Sequence, residues 1–187
     1  MLVLICCVIP LAICQVGLVA YAAPVCLKAM QVSQANIGRA IMLFGLTLVY
    51  VGPWVSRYIN GPARARQFLV ISGILGGGGL LVFFQRPDFP GFMVAVVLAG
   101  LACSFGLSAQ TVVVQSLPVV QDLGSGIAVS MERVASKLGQ MLGPLMMGAL
   151  FANMSIEAGL GLIGACFVAL TVVFALFHGV QRTTRPA

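Results

Sequence analysis

Four side chains in the middle of the sequence, Ser104, Ser108, Thr111 and Gln115, stand at offsets 0, 4, 7 and 11. At about 100° per residue this spacing keeps all four within roughly 60° of one helix face. Serine and threonine hydroxyls in an apolar helix can bond to the preceding turn of their own backbone, but a glutamine amide cannot, so the face requires water or a polar partner. The face is expected to line a water-filled cavity or to make a polar contact with another helix. Gln15 and Tyr21 are two further polar candidates, on different faces of an apolar stretch. For nucleophilic chemistry the sequence offers Ser108, between Gly106 and Ala109, and the single histidine, His178. Such a pair must come within about 3 Å to react, and a histidine at the edge of an apolar run reads as solvated and interfacial. The six cysteines all lie in apolar runs with no CxxC spacing, so neither a zinc site nor a disulfide framework is spelled out, and no cofactor is expected. The tetraglycine 76–79 lacks the GK[ST] ending of a phosphate loop and is read as a packing or bending element.

The elements that must hold these residues are marked by charge. A charged side chain is costly at mid-bilayer, so the ionic residues show where the chain leaves the apolar phase. Charge-free runs cover 1–27, 40–56, 67–85, 89–121, 138–156 and 158–181, the shortest having 17 residues. A crossing needs about 20 residues, so each run serves one helix, with spans expected at about 3–27, 38–56, 67–85, 91–117, 136–154 and 158–178. In the longest run, prolines at 90 and 118 bound one long helix rather than two. The first run ends in AYAA, like a signal-peptide cleavage site, but no Lys or Arg precedes it and Pro24 would follow the cut, so it is read as a genuine helix.

Composition agrees. Of the 187 residues 60% are apolar and 7% charged, and mean hydropathy is +1.10, whereas soluble domains are about 45–50% apolar and about 25% charged. The fold class expected is an all-α, polytopic membrane protein in contact with the lipid bilayer. The net charge of +6 comes from scattered basic residues that form no patch, which excludes a nucleic-acid partner. Six crossings put both ends on one side. With the termini cytoplasmic, the inner loops hold Arg57, Arg64, Arg66, Arg133, Lys137, Arg182 and Arg185, against Lys28, Arg39 and Arg86 outside, as the positive-inside rule prefers. Small residues at helix-contact spacing, among them Ser72, Gly73, Gly76, Gly77, Gly139, Gly143, Gly161 and Ala165, point to close helix packing. Gly143–Pro144 is a kink point in the fifth span, and Glu132 and Arg133 are read as interfacial.

Four stretches resemble the second half of a major facilitator superfamily transporter. QVGLVAYAAPVCLKAMQVSQANIGRAIMLFG (15–45) is similar to the family's seventh helix, outer loop and start of the eighth. GPWVSRYINGPARAR (52–66) is similar to the loop signature G-x-x-x-D-R-x-G-R-R, matching at Gly52 and Arg57, with Ser56 where Asp usually stands. The polar fourth span resembles the tenth helix, and GQMLGPLMMG (139–148) the eleventh. The resemblance implies a six-helix half-bundle that forms a cavity with another half, lined by Gln15, Tyr21, Ser104, Ser108, Thr111 and Gln115. It implies a cytoplasmic gate at Arg57, Arg133, Gly143 and Pro144. The chain would then be a secondary transporter, or the C-terminal half of one, that moves a small-molecule solute by alternating access rather than an enzyme, read as a fragment needing an N-terminal half or, failing that, a second copy. Asp88, Asp122, Glu132 and Glu157 all fall at span ends, so a proton acceptor is expected in the other half. Two other classes remain. An intramembrane serine protease resembling the rhomboids would use Ser108 and His178, although Ala109 replaces the second glycine of that motif. A non-transporting assembly protein would show no solvent-reachable face.

Overall fold

Two prolines shape the first helix. The computed structural model describes residues 3–117, 120 and 124–183, with the side chains of Ser125 and 178–183 excepted. Helix α1 runs over Leu4–Ala29, with π-helical turns at Leu4–Val8 and Gly17–Ala22. Pro10 and Pro24 each lie just beyond one of these turns. Proline has no N–H to bond to the carbonyl four residues back and its ring crowds that carbonyl, and the wider π turn makes room for it.

The other helices begin where local chemistry stops the preceding turn. They are α2 (Gln34–Ser56), α3 (Pro62–Gln85), α4 (Phe89–Gln115), α5 (Ser125–Asn153) and α6 (Ile156–Thr183). Gly61 and Gly124, at φ 101° and 87°, occupy backbone conformations that favour glycine, directly before α3 and α5. The Asp88 carboxylate accepts a hydrogen bond from the Gly91 N–H at 3.0 Å and caps α4. Most helices extend a few residues past the expected spans, because flanking ionic residues adopt helical geometry too. The largest difference is α5, which starts at 125 rather than 136 and carries Glu132 and Arg133 within it.

The described residues form an all-helical structure. Five helices are long and apolar enough to cross a membrane: Leu4–Ala29, Gln34–Ser56, Pro62–Gln85, Phe89–Gln115 and Ile156–Phe177. This is one fewer than the charge spacing predicts. Helix α5 has 29 residues, but Glu132, Arg133, Lys137 and Gln140 lower its apolarity.

Packing is organised around α4, which lies against α2 and α3; α3 also packs on α6, and α1 on α5. Small residues set each seam. A Cβ on Gly139 would stand 2.8 Å from the Ile9 carbonyl oxygen, one on Gly143 2.7 Å from that of Ile13, and one on Gly17 2.9 Å from the Met147 side chain. Tyr21 stacks on Phe151 with ring centroids 5.9 Å apart. The partners advance together in steps of four, so α1 and α5 run parallel and in register. The α3–α6 seam is antiparallel: a Cβ on Gly77 would lie 2.7 Å from the Gly164 oxygen, and one on Gly161 2.9 Å from Phe84. With no hydrophobic force between helices in lipid, such close backbone approach is what gives them contact energy.

The core has two parts. One gathers Leu18, Leu27, Phe44, Phe83, Phe92 and Met147 from five helices. The second, at the opposite end, gathers Cys6, Cys7, Leu69, Val113, Ala128 and Phe174.

Candidate functional site

The polar face of α4 faces other helices. Ser104, buried, donates to the carbonyl oxygen of Gly100 at 2.9 Å and lies 3.1 Å from that of Thr47 on α2. Ser108 donates to the Gly52 carbonyl oxygen, also on α2, at 3.3 Å. Two of the four aligned residues therefore tie α4 to α2. On its other side α4 accepts from Ser72 of α3, through the Ala102 carbonyl oxygen at 2.6 Å. Thr111, one helical turn beyond Ser108, donates to Glu132 Oε1 of α5 at 3.0 Å. Gln115 is exposed and, like the half-buried Gln15, has no hydrogen-bond partner among the described residues.

Gln15 and Tyr21 belong to α1, at the step from regular to π-helical backbone. They are not brought together with Ser104 and Ser108. Tyr21 instead packs on α5, where a Cβ on Gly148 would meet its hydroxyl oxygen at 3.3 Å. Of the expected gate residues, Gly143 meets Ile13 and Gly17 of α1 backbone to backbone, and Pro144 follows it inside the same helix. Arg57, at the end of α2, and Arg133, in α5, are exposed, and neither guanidinium makes an ion pair among the described residues. The His178 side chain lies outside the described residues, and Ser108 has the Gly52 carbonyl as its partner.

Burial corrects the reading of Glu132 and brings in Gln110, which the sequence did not single out. Glu132, expected at an interface, is only 6% exposed. Its carboxylate touches Thr111 and the amide of Gln110, and Gln110 is itself 4% exposed with an Oε1 that receives no hydrogen bond. Glu132 precedes the apolar stretch of α5, and burial pushes its carboxyl above the usual carboxylate range, opposed by the Thr111 hydrogen bond, by the Arg133 charge and by a hydrogen bond from the Gln110 amide. The available signal was Gln110 itself, an amide inside an apolar run and one residue off the polar stripe.

Two hollows among the described residues are apolar. One of about 350 Å³ lies between α1, α5 and α6, lined by Ile13, Cys14, Met146, Ile163, Cys166 and Phe167. Another of about 490 Å³ lies between α1 and the start of α5, against Ile5, Ile9, Ile127, Met131, Val134 and Leu138. Neither holds enough polar atoms to orient a hydrophilic solute by itself. No family model, curated protein or solved structure matches the chain.

Proposed function

We propose that the chain is a secondary transporter, or the C-terminal half of one, that moves a small solute across the cell membrane by alternating access. The observation that carries this reading is the seam between α1 and α5. There a helix interrupted by π turns carries the unpaired Gln15 and rests on a glycine face. Interrupted helices with free polar groups are typical of substrate pathways in transporters, and a glycine seam lets two helices shift without large side chains interlocking. In this reading Gln15, Tyr21, Thr111 and Gln115 face the pathway, and an N-terminal half or a second copy completes it. Helix α5 crosses the membrane as the sixth span. Its residues 139–151 run parallel to residues 9–21 of α1, so the two sit at the same depth. Both termini are cytoplasmic, as the loop charges favour.

The test is cysteine substitution at Gln15, Tyr21, Thr111 and Gln115 in a background without the native cysteines, with membrane-impermeant thiol reagents applied from either side. Expected is labelling at Gln15→Cys and Gln115→Cys whose side preference changes with conditions. Labelling at none of the four positions would sink the reading. It would favour the assembly protein, a class that has one observation on its side: the Ser104 and Ser108 hydroxyls are engaged by α2 carbonyls.

A further inference from the structure

A carboxyl that is nearly closed off from water needs either a cation or a proton. Glu132 has no ion-pair partner among the described residues, and transfer of an unpaired carboxylate into a low-dielectric site is strongly unfavourable. Apart from the exposed Arg133, the groups that touch it are neutral. The Thr111 hydroxyl donates to Oε1 at 3.0 Å, which suits the ionised form. The buried Oε1 of Gln110, whose amide also reaches the carboxyl, is an acceptor with no donor. An acceptor left bare in a buried position costs free energy, and because the amide N–H of the same side chain already reaches the carboxyl, turning the amide over would let a protonated carboxyl supply the missing O–H.

We propose that Glu132 is a proton-binding site whose two states are held differently by α4: the Thr111 hydroxyl and the Gln110 amide N–H donate to the carboxylate, and the Gln110 amide oxygen, with the amide turned over, accepts from the acid. Only an O–H bond forms or breaks, the proton passing between water and the carboxyl oxygen. The groups that can influence the titration are few. On α5 itself there is Arg133, exposed and next in sequence. Helix α4 contributes only the neutral Gln110 and Thr111. Helix α1 brings the thiols of Cys6 and Cys7 to the neighbouring cluster that includes Ala128. On α6, His178 and Arg182 lie outside the described side chains. The consequence is a contact between α4 and α5 that changes partner with pH. On the transport reading, on which this last step rests, it is the place where the chain loads a coupling proton.

The experiment is infrared difference spectroscopy on the full chain in phosphatidylcholine vesicles, titrated between about pH 4 and pH 9. Labelling with ¹³C-glutamate confines the shifted band to Glu132 and Glu157. Expected is an acid carbonyl band that persists above the ordinary carboxylate range, is absent in Glu132→Gln, and in Thr111→Val titrates about one to two pH units higher, since the carboxylate has lost one of its donors. If Glu132→Gln does not fold, Thr111→Val still decides, because it keeps the carboxyl and the side-chain shape. A band that titrates in the ordinary range, survives in Glu132→Gln, or does not move in Thr111→Val overturns the proposal. The expected titration together with an unlabelled cysteine scan would overturn transport and leave the proton site. The reverse pair of results would remove the proton site alone.

Discussion

At the scale of single residues, hydroxyls in this protein tie backbones together. Ser72 and Ser108 each bridge to another helix, Ser104 lies between its own turn and α2, and Thr171 returns to its own helix through the Phe167 carbonyl oxygen at 2.8 Å. A carbonyl already bonded within its helix has a spare lone pair, so such ties are available wherever two helices approach closely. Removing one costs little, since the backbone carbonyls stay satisfied. Ser104→Ala is therefore expected to lower unfolding stability in detergent by about 0.6 kcal/mol, the average for a hydrogen bond between membrane helices. A loss several times larger would mean that Ser104 does more than join α4 to α2.

At the scale of helices, contact depends on which glycines face a neighbour. The tetraglycine provides an internal control, because its members sit on different sides of α3. A Cβ on Gly77 would collide with the α6 backbone, 2.7 Å from the Gly164 oxygen, whereas one on Gly78 meets nothing within 4 Å. Gly77→Ala is expected to destabilise by about 1–3 kcal/mol through overpacking. Gly78→Ala should stabilise by up to about 1 kcal/mol, since alanine is the better helix former. Thermal unfolding of both variants in one detergent would check the pair, and equal effects would refute the seam. The same logic applies to α1, whose backbone at Ile13 and Gly17 approaches Gly143 closely enough that a Cβ there would stand 2.7 Å from the Ile13 oxygen.

For the whole molecule the topology turns on the proposed crossing by α5. Mean hydropathy argues one way and packing the other. A helix whose residues 139–151 match residues 9–21 of α1 step for step lies alongside it, and this supports the sixth crossing proposed above. A topology reporter inserted after Gly124 and, separately, after Met154 is expected to report from opposite sides of the membrane. Reports from the same side would leave five crossings and would place the two chain ends on opposite faces.

The amino-acid order alone determined the class of the protein and most helix limits. Charge is so costly in hydrocarbon that fourteen ionic residues are enough to partition the chain, and Gly61, Asp88 and Gly124 act through local backbone geometry. The small-residue seams were legible for the same reason, as spacing along one helix is a one-dimensional property. Tertiary structure alone decided what those surfaces meet. That Ser104 and Ser108 would find α2 carbonyls, that Gln15 would stay unpaired, and that Glu132 would be buried against Gln110 depends on residues distant in sequence. A hydrogen bond needs both partners within about 3 Å, and periodicity on one helix says nothing of where the second one lies.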